Sequence, residues 1–251
     1  MRGTSSIERP AKSFVTRLVM VYPRKRRDEW MDQPDLSAEA HLHALQGLRR
    51  IHRWTGTSRP FCRQIREWSS DLGRPLSVLD VACGGGELLA DLARVSDREQ
   101  VILSLAGCDI NLRALDVARC RLKSTGSQVE LFQHDVLNTE LPRQWDVVVC
   151  SLFLHHLETE DVVKALNRMA DAARVGMLVS DLVRGRLNRA MVWLASHALT
   201  RSPVVHFDGP VSVDAAFLLD EMRVLAADAG LAGIKISSQW PARMFLEWRR
   251  P

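Results

Sequence analysis

The stretch VLDVACGGGELL, residues 78–89, decides how this chain is read. An apolar run enters a loop of small side chains and leaves it as the start of a helix. Small residues at such a turn let a backbone come close to a ligand.

Outward from that loop, extended and helical patterns alternate. SVLDVA, LAGCDI, QVELFQHD, WDVVVCSLFL and GMLVSDLV read as strands. GGELLADLARV, NLRALDVARCRLKS and TEDVVKALNRMADAA read as the helices between them. Alternation of this kind predicts a mostly parallel sheet with helices on both faces. GIKISSQW and ARMFLEWRR, joined through Pro241, predict a final antiparallel hairpin. The fold class expected is α/β, a Rossmann-like sheet of seven strands.

Upstream, SAEAHLHALQGLRRIHRW places Leu42, Leu45, Leu48 and Ile51 on one helix face, and a second helix spans about residues 58 to 72 before Gly73 and Pro75. Residues 1–57 are expected to be a flexible arm and a helical lid, and residues 58–251 one domain. An insertion over residues 183–211 interrupts the alternation, with a helix around RLNRAMVWLASHALT and then a loop, RSPVVHFDGPVS. Leu187, Met191, Leu194 and Ala198 form a stripe there, beside Trp193, suited to lining an apolar acceptor pocket.

Composition bounds the function. The 251 residues are 46% hydrophobic and 25% charged, which suits a globular protein with a real core. A net charge of +4 is too mild to argue for nucleic acid. The densest basic cluster, Pro23-Arg24-Lys25-Arg26-Arg27, reads as a solvated hinge. Five cysteines with no CxxC spacing point to reduced thiols in a cytoplasmic protein and to no zinc site. No apolar run approaches a membrane span, and the opening residues lack a signal-peptide core.

Two ligands fail at the loop. A phosphate-gripping loop ends in Gly-Lys-Ser/Thr, whereas Gly86 is followed by Glu87. A dinucleotide fingerprint wants a third glycine where Glu87 would repel a pyrophosphate. Asp80 before the loop and Glu87 after it suit a cationic, phosphate-free nucleoside. The stretch Asp80-Val81-Ala82-Cys83-Gly84-Gly85-Gly86 resembles the E/D-x-G-x-G-x-G loop of class I S-adenosylmethionine-dependent methyltransferases, with Ala82 at the first glycine. The resemblance implies S-adenosylmethionine as cofactor and S-adenosylhomocysteine as its product. It implies a nucleoside site at Asp80, Ala82, Gly84, Gly86, Asp109, Ile110, Asp135, Val136 and Ser151. In it Asp109 takes the ribose hydroxyls and Asp135 the adenine amino group.

The same resemblance carries the catalytic candidates. LFLHHLETED is similar to the L-H-D-W-x-D segment of small-molecule O-methyltransferases, which places the base at His155. A hydrogen-bonded histidine at a helix start is the plainer reading of that residue. His206, with Asp208 two residues on, is the second candidate, against an Asp-Gly turn with an incidental histidine. WMDQPDL, SDLVRGRL and HFDGP resemble bacterial small-molecule methyltransferases of secondary metabolism. The expected function is methyl transfer to a small, largely apolar acceptor, on oxygen, of phenolic, polyketide-like or quinone-precursor type. A nucleic-acid (RNA) methyltransferase and a non-catalytic cofactor-binding partner protein are the alternatives. Neither a nucleic-acid partner nor a membrane is expected, and the chain is expected to be a monomer or homodimer.

Overall fold

Burial on both faces explains the apolar runs in the middle of the chain. The computed structural model describes residues 22–251 except 34, 100–102, 127 and 143. The flexible arm expected over residues 1–21 lies outside the described residues. Helix α1 (Ala38–Thr55) starts where Ser37 Oγ accepts the Ala40 N–H at 3.2 Å, and α2 (Arg59–Leu72) follows. Then come β1 (Leu76–Val81), α3 (Glu87–Glu99), β2 (Leu103–Asp109), α4 (Leu112–Lys123), β3 (Val129–Gln133) and β4 (Trp145–Ser151). The remainder is α5 (Thr159–Ala172), β5 (Ala173–Leu182), α6 (Arg186–Leu199), α7 (Pro203–Ala215), α8 (Leu219–Asp228), β6 (Lys235–Gln239) and β7 (Arg243–Arg249).

The sheet has seven strands in the order β3-β2-β1-β4-β5-β7-β6. The first five run parallel, and β7 lies antiparallel between β5 and β6. The expected Rossmann-like sheet with an antiparallel C-terminal hairpin is what forms. Central β4 has Val147, Val148, Val149 and Cys150 fully buried, the run expected of a strand covered on both faces. Edge strand β6, KISSQ, is polar and largely exposed, which blunts an otherwise sticky edge.

Two cores flank the sheet. Leu166, Met169 and Met222 from α5 and α8 fill one side. Phe61, Ile65, Trp68, Leu89, Leu92 and Leu115 from α2, α3 and α4 fill the other. Each such side chain contributes roughly 1.5–3 kcal/mol by leaving water. Gly176 on β5 makes one of these contacts possible: a Cβ there would sit 2.8 Å from the Trp68 ring and 2.4 Å from the Trp248 carbonyl oxygen.

Asp146 ties the amino end of β4 to β1. Its carboxylate accepts from Arg74 Nη2 at 2.7 Å and from the Ser77 N–H and Oγ–H at 2.8 and 3.0 Å. The Arg74 bond, with the Ser77 donors and against the cost of burial, holds its carboxyl down at about 2. A depressed acid stabilises the fold above its unfolded value, and that contribution is lost as pH falls through about 2. Asp146→Ala strands the Ser77 donors, so at neutral pH it should lower the unfolding free energy by roughly 2–3 kcal/mol in urea titration.

Three local expectations change. The segment read as the loop RSPVVHFDGPVS is mostly helix α7, capped by Ser202 and started by Pro203. On α1 the buried residues include His41, Ala44 and Leu45, while Leu42 faces solvent. The α6 stripe does not line a pocket: Leu187 and Leu194 are exposed, and Ser196 is the residue α6 buries.

Candidate active site

The carboxyl ends of β1, β2, β4 and β5 lie side by side along one edge of the sheet, with the loop after β1 beside them. Ala82 (φ 55), Gly84 (φ 52) and Gly86 (φ 74) all stand in the left-handed region. Ala82 carries a side chain there, at a cost of about 1–2 kcal/mol. At Gly86 a Cβ would also meet the Ala118 Cβ at 3.0 Å, so α4 packs against bare backbone. The loop is held from outside by Arg121, which donates to the Gly85 carbonyl oxygen and pairs with Glu87.

Asp109, at the end of β2, faces this loop. Its Oδ2 accepts the Gly84 N–H and its Oδ1 the Asn111 N–H, both at 2.8 Å. Each oxygen keeps a further lone pair for a ligand hydroxyl. Burial pushes its carboxyl up, and the Asn111 and Gly84 amides draw it back. Asp80 is buried, and no described residue donates a hydrogen bond to it. Burial raises it well above the carboxylate range, and Asp109 and Glu87 add to the rise. A carboxyl so placed favours a cation and disfavours a phosphate. Ile110 lies 61% exposed beside Asp109, an apolar surface left open. Asp135 caps the turn after β3, accepting from the Leu137 N–H at 2.9 Å and Asn138 Nδ2 at 2.6 Å, with Val136 buried behind it. Ser151 closes β4, paired in register with Ser180 on β5.

The second half of the crevice is a histidine pair. After β4 the chain turns through Leu152 at φ 59 into a short 3-10 turn, Leu154–His156. His155 is 3% exposed, and its ring Nδ1 lies 2.6 Å from Asp181 Oδ1 at the end of β5. The His155 backbone N–H reaches Asp181 Oδ2 at 3.1 Å. Although burial opposes its charge, His155 holds the Asp181 carboxyl below the usual range. An ionised Asp181 leaves the ring proton on Nδ1, and Nε2 faces Glu29 Oε1 at 3.7 Å.

Sequence reading missed Asp181, Glu29 and Asp32. Glu29 and Asp32 belong to a strap, residues 22–33, laid across the histidines. Tyr22 Oη donates to Asp214 Oδ1 at 2.6 Å, Arg24 to the Ala215 and Leu157 carbonyl oxygens at 2.6 Å, and Arg26 to Glu158 at 2.7 Å. The Trp30 and Met31 amides donate to Asp208 at 2.8 and 3.1 Å, and Trp30 stacks on Phe207 at 4.2 Å. The basic cluster read as a solvated hinge is therefore anchored through Arg24 and Arg26. Asp208 does not orient His206 as expected: its two oxygens hold the strap. His206 Nε2 lies 3.0 Å from the Thr200 carbonyl oxygen, and its ring stacks on His197 at 4.0 Å between α6 and α7.

His156 completes the cluster, its Nδ1 3.4 Å from Asp32 and 3.9 Å from Glu29. Burial works against its charge, but Asp32, Glu29 and Asp181 together push it up to about 9. Glu29, His155 and His156 also offer one ligand atom each within 4.8 Å, a set able to hold a metal ion. A histidine raised in the folded state stabilises fully below 6.5, and the contribution goes as pH rises through about 9. Stability should therefore fall between pH 6.5 and 9.5 by roughly 2 kcal/mol, after allowance for the ring's partial exposure. His156→Gln should flatten that slope in denaturant titrations.

Residues 78–176 match the family model described as a methyltransferase domain. The match spans β1 through the first residues of β5, with the loop and the histidine turn inside it.

Relatives and solved structures agree on the domain's fold. The ubiquinone biosynthesis O-methyltransferase of Nitrosomonas europaea is 35% identical over 96 residues, which cover 37% of this chain and 38% of that protein. Its namesake from Thiobacillus denitrificans is 32% identical over 131 residues, 51% of this chain and 48% of that one. The chain thus spans less than half the length of these curated relatives. The plantazolicin methyltransferase BpumL, solved with a triazolic analogue and SAH, superposes at TM-score 0.64 and 15% identity, covering 88% of this chain and 93% of that one. Magnesium protoporphyrin IX methyltransferase from Synechocystis PCC 6803, solved with SAH, gives 0.56 at 19% identity, with 82% and 94% covered. The strap, α1, α6, α7 and the hairpin lie outside the family match. Among the described residues no helix is long and apolar enough to cross a membrane.

Proposed function

We propose that this protein is an S-adenosylmethionine-dependent methyltransferase acting on an oxygen of a small, largely apolar acceptor of phenolic, polyketide-like or quinone-precursor type. The observation that carries the reading is the Asp181–His155 pair, a buried base held in one tautomer beside a phosphate-averse, glycine-floored crevice.

The crevice fits the cofactor residue by residue. Asp109 offers a free lone pair on each oxygen to two vicinal hydroxyls. Asp80 suits the ammonium, and Ile110 with Val136 gives the adenine an apolar bed. Ala82, Gly84 and Gly86 would admit the backbone approach, and Asp135 after β3 and Ser151 at the end of β4 would border the adenine and the methionyl end. When bound, the cofactor supplies a methyl group on a cationic sulfur. His155 Nε2 takes the proton of the acceptor hydroxyl, and Asp181 stabilises the imidazolium that results. Glu29, Asp32 and the strap shut water out of that exchange.

Oxygen as the target draws on the names of the ubiquinone-biosynthesis relatives and on the need for a base. The anchoring of Arg24 and Arg26 takes away the basic patch a nucleic-acid substrate would use. All five cysteines are free thiols, which supports a cytoplasmic setting, and a monomer or homodimer is proposed with it. Calorimetric titration with S-adenosylhomocysteine tests the cofactor. Transfer of labelled methyl to a panel of phenols and hydroxyquinones tests the acceptor, and transfer to RNA alone would replace this reading with the nucleic-acid one.

A further inference from the structure

Arg243 is the first residue of β7, the strand that runs against its neighbours. Its register partners are Leu182 on β5 and Gln239 on β6, so it stands at the edge where β5 delivers Asp181. It is 7% exposed, and its guanidinium Nη1 is buried with no hydrogen-bond partner among the described residues. The other deeply buried guanidinium is treated differently. Arg184 reaches Glu221 at 2.6 Å, the Ala216 carbonyl oxygen at 2.6 Å and the Tyr22 carbonyl oxygen at 2.7 Å. Buried donors are almost always satisfied, and a buried charge without a partner costs several kcal/mol. A group left unsatisfied at a crevice edge is the mark of a missing ligand.

Its surroundings say which ligand. Burial draws the guanidinium down to about 10, so it is charged at neutral pH. The His52 imidazole on α1 is pushed down to about 3 by its surroundings, with Arg243 and then Arg121 adding to the effect. Arg121 in turn holds the Gly85 carbonyl oxygen and Glu87. The His52 ring thus feels both Arg243 and Arg121. The carboxylate whose field reaches Arg243 is Asp181, and Asp181 is already engaged by His155 and the Leu182 N–H.

We propose that Arg243 is the carboxylate-binding group of this crevice, gripping a planar carboxylate of a bound ligand in bidentate fashion. A guanidinium fork matches two carboxylate oxygens. A dianionic phosphate is disfavoured by Asp181, the carboxylate whose field reaches the guanidinium, whereas a single charge is tolerated. The inference rests on the proposed cofactor reading. It admits two sources, the methionyl carboxylate of the cofactor or a carboxyl on the acceptor.

Calorimetry on the full chain separates them. The probes are S-adenosylhomocysteine, its carboxyl-free counterpart 5'-methylthioadenosine, and benzoate added to the S-adenosylhomocysteine complex. If the cofactor is the source, Arg243→Met loses about 30-fold in affinity for S-adenosylhomocysteine and none for methylthioadenosine. If the acceptor is the source, both nucleosides bind unchanged and the wild type's benzoate binding is lost. Arg243→Lys restores only part of the loss, because an ammonium cannot fork. The ligand-free Arg243→Met protein should melt no lower than wild type, since an unpaired buried charge is gone. The inference is overturned if Arg243→Met binds S-adenosylhomocysteine and benzoate as wild type does, if it loses both nucleosides equally, or if its ligand-free form is strongly destabilised. Wild type that binds neither nucleoside would instead sink the cofactor reading, and this inference with it.

Discussion

Asparagine at position 181 should lower turnover about 10³-fold while leaving S-adenosylhomocysteine affinity within about threefold. The Asp181 carboxylate is what places the His155 proton on Nδ1, at 2.6 Å, and so leaves Nε2 free to accept. An amide at that position can donate its own N–H to Nδ1, which favours the opposite tautomer and blocks the base. It also removes the negative charge that steadies the imidazolium. His155→Ala should cost a similar factor, and the double variant little more, because the two act as a unit. His206→Ala should leave turnover unchanged, since that ring is committed to the Thr200 carbonyl oxygen and the His197 stack. Single-turnover transfer of labelled methyl to a phenol measures all four. If His155→Ala and Asp181→Asn both keep full turnover, positioning alone drives the transfer and the base assignment fails.

Asp109→Ala is expected to weaken S-adenosylhomocysteine binding by at least 10²-fold. Two charge-assisted hydrogen bonds to vicinal hydroxyls are each worth roughly 1.5–3 kcal/mol in a sheltered site. The same substitution frees the Gly84 and Asn111 amides, which Asp109 holds at 2.8 Å, so the loop loses its brace along with the ligand's anchor. Asp109→Asn keeps one acceptor and should fall in between. Calorimetry gives the affinities, and circular dichroism checks that β2 and α4 remain folded. Wild-type affinity in Asp109→Ala would remove the crevice from consideration as a nucleoside site.

The sheet and the glycine loop were legible because their causes are local. A strand covered on both faces must be apolar through its middle, and the VVVC of WDVVVCS is. A tight loop must be small, and ACGGG is. Helix α7 was read as a loop because Gly209-Pro210 is ordinarily a breaker. Burial of Val204, Val205, Val211 and Val213 outweighs the bond Pro210 cannot make, and the Ser202-Pro203 start was the available signal. The stripe on α6 failed for the converse reason. Helical spacing marks an apolar face but not what covers it. Among the site residues, His155 was visible in its motif, whereas Asp181 was hidden inside a strand pattern. An acid in an otherwise apolar strand end, SDLV, was the clue. Glu29, Asp32 and Arg243 come from the two ends of the chain, and nothing in their neighbourhoods announces the crevice that tertiary structure brings them to.

The reversed direction of β7 divides labour along the gene. The residues proposed to cradle the nucleoside follow one another between Asp80 and Ser151, inside the block that matches the family model. From outside that block, the strap lays Glu29 and Asp32 against the histidine turn, and the hairpin sets Arg243 opposite Leu182, next to Asp181. On the proposed function, substitutions in the strap or the hairpin would change acceptor contacts while leaving the proposed nucleoside residues of the middle block in place.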